Sequence, residues 1–316
     1  MGISFKNLFN DKASASPQKC SYGVIGMFKT SSHAPKASPG NSPAGIGVPQ
    51  VVLDRDSPVY QHHLEDLMYH ALKNDKFIIY YQPLYSIQDN NFTEAEALLR
   101  LQDESGHFVP PGEFIPIAEK NGMIMEISSM VLNKVAGYIR SMLSCGTDID
   151  SISINLSAVD LTRPDLADHV LDIIRKNHIS PNRIVLEITE STLIRNYRQA
   201  GDQIREMSNE GVQFALDDFG TGYSNIANVI DLPFDDVKID KSLIWDSIEN
   251  KKCNIVIREL TKAFKDIHLG VIAEGVETPE HDRFVRQCGC DRIQGFRYAK
   301  PMPSSRVYDY FGRTMA

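Results

Sequence analysis

Phe214-Ala215-Leu216-Asp217-Asp218-Phe219-Gly220-Thr221-Gly222 opens as a buried apolar strand and closes on two carboxylates and two glycines. Adjacent aspartates alternate across a strand, so both reach one face only where the backbone leaves its ideal pleat. The expected place is the strand's end, with the glycines supplying the freedom to turn. Thus the decisive reading is an apolar strand that delivers acids at its C-terminal end. The loop Gly220–Asn225 superficially resembles a dinucleotide fingerprint, but it lacks a third glycine and sits late in the chain.

The same grammar recurs on both sides. Strand-like runs cover residues 77–82, 94–101, 152–156, 184–188, 214–218, 237–240, 271–274 and 292–296, eight in all. Helical spacing of apolar residues marks 60–73, 125–143, 166–176, 191–208, 254–264 and 279–287 between or beside them. No helix intervenes between the first two strands. Their link, Ser86 to Thr93, is short and polar, so this pair is predicted to run antiparallel. The pattern predicts an α/β fold, a TIM-like (β/α)8 barrel with an antiparallel first hairpin; an open doubly wound sheet is the alternative.

In a parallel barrel the C-terminal ends of the strands converge on one face. Those ends carry Glu96, Asn155, Glu187, Asp217, Asp218, Lys238, Glu274 and Gln294. Singly, each has a plain explanation. A strand-end glutamate caps or pairs, Lys238 and Asp240 make a surface ion pair worth about 0–1 kcal/mol, and Gln294 bonds a backbone amide. Jointly, they point to a site. Two like charges about 4 Å apart repel by roughly 4 kcal/mol at an effective dielectric of 20, so the acids must take up protons or bind cations. Oxygen donors without His or Cys favour Mg²⁺ or Mn²⁺ over Zn²⁺. A bridging carboxylate would suit two ions acting on a phosphodiester. His281-Asp282 and His62-His63 have no further ligand at suitable spacing and read as solvated surface.

Composition bounds the remainder. The chain has 316 residues, 42% of them hydrophobic, enough for a sizeable core, and no apolar run approaches the length of a membrane span. A formal charge of −8 disfavours DNA and anionic membrane surfaces as partners. Five scattered cysteines make no disulfide framework, which predicts a reducing, cytoplasmic setting. Residues 1–56 form a Ser/Pro/Gly-rich segment predicted to be a flexible tail, leaving 57–316 for the barrel. Its Ile3, Phe5, Leu8 and Phe9 offer the alternative of a weak membrane or partner contact, and it does not read as a signal peptide.

Together these segments resemble the EAL-domain family of bacterial cyclic-di-GMP phosphodiesterases over about residues 57 to 310. The resemblance is carried by Tyr81-Gln82-Pro83, Glu96-Ala97-Leu98-Leu99-Arg100, Pro111 to Glu119, Asn155-Leu156-Ser157 and Glu187-Ile188-Thr189-Glu190-Ser191. It continues through Asp217 to Ser224, Lys238-Ile239-Asp240, Ala273 to Glu277 and Gln294-Gly295-Phe296. It implies hydrolysis of the second messenger cyclic di-GMP to linear pGpG by in-line water attack assisted by two Mg²⁺ or Mn²⁺ ions. Glu96, Asn155, Glu187 and Asp217 would hold one ion, and Asp217, Asp218 and Glu274 the other. Lys238 would hydrogen-bond the attacking water, Glu274 would accept its proton, and Glu190 would anchor segment 218–225. Gln82, Arg100, Asp240, Glu277 and Gln294 match positions near the dinucleotide. A homodimer is implied, with the loop around 218–230 near its interface. Departures include Leu101 for a common Trp, Asn225 for a common Ser and Phe296 for a common Tyr, none of which removes a ligand. Two other readings stand beside this one: a catalytically silent cyclic-di-GMP receptor acting through a protein partner, and a hydrolase for a different phosphodiester.

Overall fold

The computed structural model describes residues 57–147, 149–195, 197–221 and 226–311. The expected tail, including Ile3, Phe5, Leu8 and Phe9, lies outside the described residues, as do residues 222–225.

The chain enters through α1 (Pro58–Lys73), capped by the Ser57 side chain on the Tyr60 amide with Pro58 in the first turn. Strands β1 (Ile78–Ser86) and β2 (Asn91–Gln102) follow, joined by a turn at 87–90. The strands are longer and their link shorter than the sequence predicts, because Asn91 and Phe92 pair with Ser86 and Tyr85 in the ladder. A short β3 (Phe108–Val109) folds back antiparallel onto the end of β2. Next come α2 (Pro111–Asn121) and α3 (Ile124–Ser144). Helix α2 escapes a reading by period because prolines stand at 111 and 116. Pro111 occupies the first helical position, where no amide partner is lost, and Gly122 ends the helix at φ +80°.

The rest alternates: β4 (Ser151–Asn155), α4 (Leu166–Lys176), β5 (Ile184–Thr189), α5 (Glu190–Arg195), α6 (Tyr197–Asn209), β6 (Gln213–Phe219) and α7 (Ile226–Asp231). Then come β7 (Asp236–Ile239), α8 (Lys241–Glu249), α9 (Lys251–Asp266), β8 (Gly270–Ala273), α10 (Pro279–Cys288), β9 (Arg292–Ile293) and β10 (Met302–Pro303). The helix predicted over 191–208 is covered by α5 and α6, which lie on either side of residue 196, outside the described residues, and α8 is an element the sequence reading did not place.

Neighbouring strands run in the order β1-β9-β8-β7-β6-β5-β4-β2, and β1 pairs with β2 to close the ring. Every junction from β2 round to β9 is parallel, whereas β1 is antiparallel to both β2 and β9. This is the predicted eight-stranded TIM-like barrel with one reversed strand, and the open-sheet alternative falls away.

Inward-facing side chains form two layers, because residues two apart on a strand share a face. The lower layer carries Glu94, Asp236 and Arg292, each two residues before an upper-layer Glu96, Lys238 or Gln294. Arg292 bonds Asp236 twice, at 2.8 and 2.9 Å, and Glu94 at 3.0 Å. Burial pushes the Glu94 carboxyl up, and Arg292 opposes that shift. Gly270 makes room for this triad, since a Cβ there would overlap the Asp236 carboxylate. No described helix is long and apolar enough to cross a membrane.

Unpairing these largely buried charges should be costly. Arg292→Met is expected to destabilise by roughly 3 kcal/mol at pH 7 in urea titration. Glu94, already raised, moves further up without its cation, so the variant loses stability as pH rises through the carboxylate range. The deficit should therefore be smaller at pH 5 than at pH 7; a deficit independent of pH would remove the electrostatic account.

Candidate active site

The upper layer is built from the strand ends. Glu96, Asn155, Glu187, Asp217, Lys238 and Glu274 are all buried, and Asp218 is half-buried. At their centre the Lys238 ammonium has no exposure. It lies 2.6 Å from Glu187 Oε1, 3.2 Å from Glu274 Oε1, and 3.4 Å from both Glu96 Oε2 and Asp217 Oδ1. Burial alone would discharge this lysine, but Asp217, Glu187 and Glu96 outweigh it and hold the group well above its ordinary value. The surface-pair reading of Lys238 with Asp240 is therefore corrected. Lys238 is the hub of the bowl, while Asp240 caps α8 by accepting from the Ser242 amide at 2.8 Å.

The twin aspartates reach one face by a different device from the expected one. Leu216 pairs with Val237 and Phe219 with Ile239, so Asp217 and Asp218 together oppose the single residue Lys238. This is a β-bulge, and Asp218 takes the left-handed conformation with φ +56°. Aspartate tolerates that region better than most side chains. The turn thus begins at the aspartates themselves, before Gly220. One oxygen each from Asp217, Asp218 and Glu274 lies within 4.8 Å of the others, a spacing that could hold a metal ion.

Around Glu96 a set of amides fixes the carboxylate. Asn155 donates to Oε1 at 2.9 Å and Gln294 to Oε2 at 2.5 Å. Gln294 also donates to Gln82 Oε1, and Gln82 donates to the Ala299 carbonyl, each at 3.1 Å. The two glutamines thus brace the acid as well as lining the bowl. Close approach of Gly295 behind them is obligatory, since a Cβ there would overlap the Val276 backbone.

Arg100 stands half-buried at the rim, donating to the Leu99 carbonyl at 2.9 Å. Glu277 is exposed on the loop after β8. Glu190 is buried at the start of α5, but half of the segment 218–225 that it was expected to anchor, residues 222–225, lies outside the described residues.

The donor set fits hard divalent cations. It consists of five carboxylates and one side-chain amide, all able to offer oxygen, and four of the carboxylates lie within 3.4 Å of one ammonium. With all five ionised, four negative charges remain, the charge that two divalent ions would cancel.

A closed barrel with one reversed strand and an acidic bowl at its C-terminal mouth defines the class of TIM-like, cation-suited sites. Residues 66–301 match the EAL domain, and the chain belongs to that family. Signaling protein YkoW of Bacillus subtilis is 34% identical over 246 residues, covering 78% of this chain and 31% of its own length. Cyclic di-GMP phosphodiesterase NbdA of Pseudomonas aeruginosa is 31% identical over 247 residues, covering 78% of this chain and 32% of its own. The chain therefore spans about a third of the length of these curated relatives. Among solved structures, the PaMucR phosphodiesterase in complex with c-di-GMP is 31% identical with a TM-score of 0.73, over 78% of this chain and 99% of that one.

Removing the central cation should leave the carboxylates mutually repelling. In chelator, Lys238→Met is expected to lower Tm by roughly 10 °C, from a penalty of about 3–5 kcal/mol for unpaired buried charge. Added Mn²⁺ should narrow that gap. Thermal unfolding with and without metal checks this, and a gap of equal size in both would contradict the charge-balance account.

Proposed function

We propose that residues 57–316 form a phosphodiesterase that hydrolyses cyclic di-GMP to linear pGpG, using two Mg²⁺ or Mn²⁺ ions held in the bowl. The observation that carries this reading is a bowl of five carboxylates, four of them within 3.4 Å of one buried lysine, with an arginine at the rim, in a chain of the EAL family. Glu96, Asn155, Glu187 and Asp217 would hold one ion, and Asp217, Asp218 and Glu274 the other. When bound, the ions supply the positive charge that polarises the attacking water and the leaving 3′-oxygen.

This chain's own groups do the rest. Lys238 orients the water and stabilises negative charge as it develops, because its ammonium is fixed and dry before the reaction begins. Glu274 lies 3.2 Å from that ammonium and, beside the half-buried Asp218, is the group suited to receive the water's proton. Arg100 contacts a phosphate, its planar guanidinium matching two oxygens. Gln82 and Gln294 hold Glu96 in place, while Asp240 and Glu277 border the substrate. Glu190 steadies the loop that follows the twin aspartates. Two copies are proposed to pair as a homodimer in the bacterial cytoplasm, near the loop around 218–230.

Product chromatography after incubation with cyclic di-GMP and Mg²⁺ or Mn²⁺ should show pGpG. Glu96→Ala and Asp217→Ala should each lower kcat/KM by at least about a hundredfold. Calcium should inhibit, because its looser coordination does not suit this site. Full activity in either variant, or equal rates in calcium and magnesium, would overturn the assignment. Binding without turnover would instead favour the receptor reading.

A further inference from the structure

Beyond the acids, the mouth of the barrel carries aromatic surface. Gln82 pairs directly with Glu96, Tyr80 with Leu98, and Ile78 with Arg100. Phe108 on β3 pairs with Gln102. By strand parity Tyr80, Leu98 and Arg100 share the inward face with Glu96, and Phe108 aligns with Gln102 on that side. Leu98 stands about 7 Å and Arg100 about 13 Å beyond Glu96 along the strand. Leu98 is buried, whereas Phe108 is 44% exposed. The Tyr80 and Phe108 rings meet edge to face at 5.5 Å, and the Arg100 guanidinium lies over the Tyr80 ring, also at 5.5 Å.

These three side chains hold one another. Tyr80 fixes both the phenyl ring and the guanidinium, so Phe108 and Arg100 meet the bowl in a set orientation. A ring left in water beside an acidic bowl needs a partner with an apolar face. A guanidinium needs an anion or a flat π surface. A nucleotide brings all of these in one molecule, its phosphate for the ions and its base for the rings.

We propose that Phe108, Arg100 and Tyr80 form a ledge on which one guanine base of the cyclic dinucleotide stacks. This rests on the reading that the bowl takes cyclic di-GMP. Arg100 can serve base and phosphate together, since its donors lie in the guanidinium plane and the face away from Tyr80 remains for stacking. The ledge supplies affinity for a broad aromatic base and favours purines over pyrimidines by the size of the stacked surface. It binds the base away from the reacting phosphate, so it acts on KM more than on kcat.

The test compares wild type, Phe108→Ala, Phe108→Trp and Tyr80→Leu as full chains with Mg²⁺, using cyclic di-GMP and cyclic di-UMP. Phe108→Ala should raise KM for cyclic di-GMP roughly tenfold, with kcat within about twofold and Tm unchanged. Phe108→Trp should restore KM, and Tyr80→Leu should raise it by loosening both partners. The preference for cyclic di-GMP over cyclic di-UMP should shrink in Phe108→Ala. A KM within about twofold of wild type, or an unaltered base preference, would overturn the ledge while leaving the phosphodiesterase reading intact. If wild type binds without turnover, the same comparison is made on Kd. If it neither binds nor hydrolyses cyclic di-GMP, the ledge and the proposed function fall together.

Discussion

The bowl depends on one charge. Lys238 reaches no solvent, so its ammonium has lost the water that would ordinarily stabilise it, and it survives only because Glu187, Glu274, Glu96 and Asp217 surround it. The dependence is mutual. Those acids come from four different strands, and without a shared cation each would resist burial beside the others. Sequence-distant strand ends are thus tied by the electrostatics of the site as well as by their backbone ladder. The bulge in β6 belongs to the same constraint, because it sets two aspartates against the one residue that carries the charge.

Beneath this sits a second charge arrangement of opposite purpose. Arg292 bonds both Asp236 and Glu94 in a set within one charge of balance, and Gly270 leaves room for the Asp236 carboxylate that a Cβ would overlap. The upper layer keeps an excess of negative charge; the lower layer keeps almost none. Alternation along the strand lets both coexist in one barrel, each lower-layer residue two positions from its upper-layer counterpart. A balanced floor can be rigid without ligands. An unbalanced bowl needs cations, which is what makes it chemically useful.

Much of this was legible because apolar strands ending in acids are an unusual pattern, and the barrel rule converts that pattern into a place. The reversed strand was legible from a short polar link, and even the family followed from ordered motifs. What escaped reading had physical reasons. Helix α2 hides behind Pro111 and Pro116, which normally argue against a helix. A backbone bulge leaves no mark in residue type, since aspartate serves strand end and left-handed turn alike. The burial of Lys238 was equally invisible, because lysine is rarely dry and only four converging partners make it so. Phe108, on a two-residue strand, has too short a context for any periodicity to show that it faces the mouth.

The two halves of the bowl differ in how far the protein has already prepared them. On the Glu96 side, Asn155 and Gln294 hold both carboxylate oxygens, Gln82 accepts from Gln294 and is itself held by the Ala299 carbonyl, and every member is buried. On the Asp218 side, the backbone is in the left-handed region, the side chain is half-exposed, and the chain runs directly into Gly220 at φ +96°. On the proposed reading the first half presents a fixed set of oxygens, with little ordering left to do on binding. The second half must admit water and a phosphate, so its openness is a requirement of the reaction. Asp217 joins the two, buried beside Lys238 yet adjacent in sequence to the half-buried Asp218. A change in the loop after β6 would therefore be felt at the open half first, through Asp218, while the braced half held its geometry.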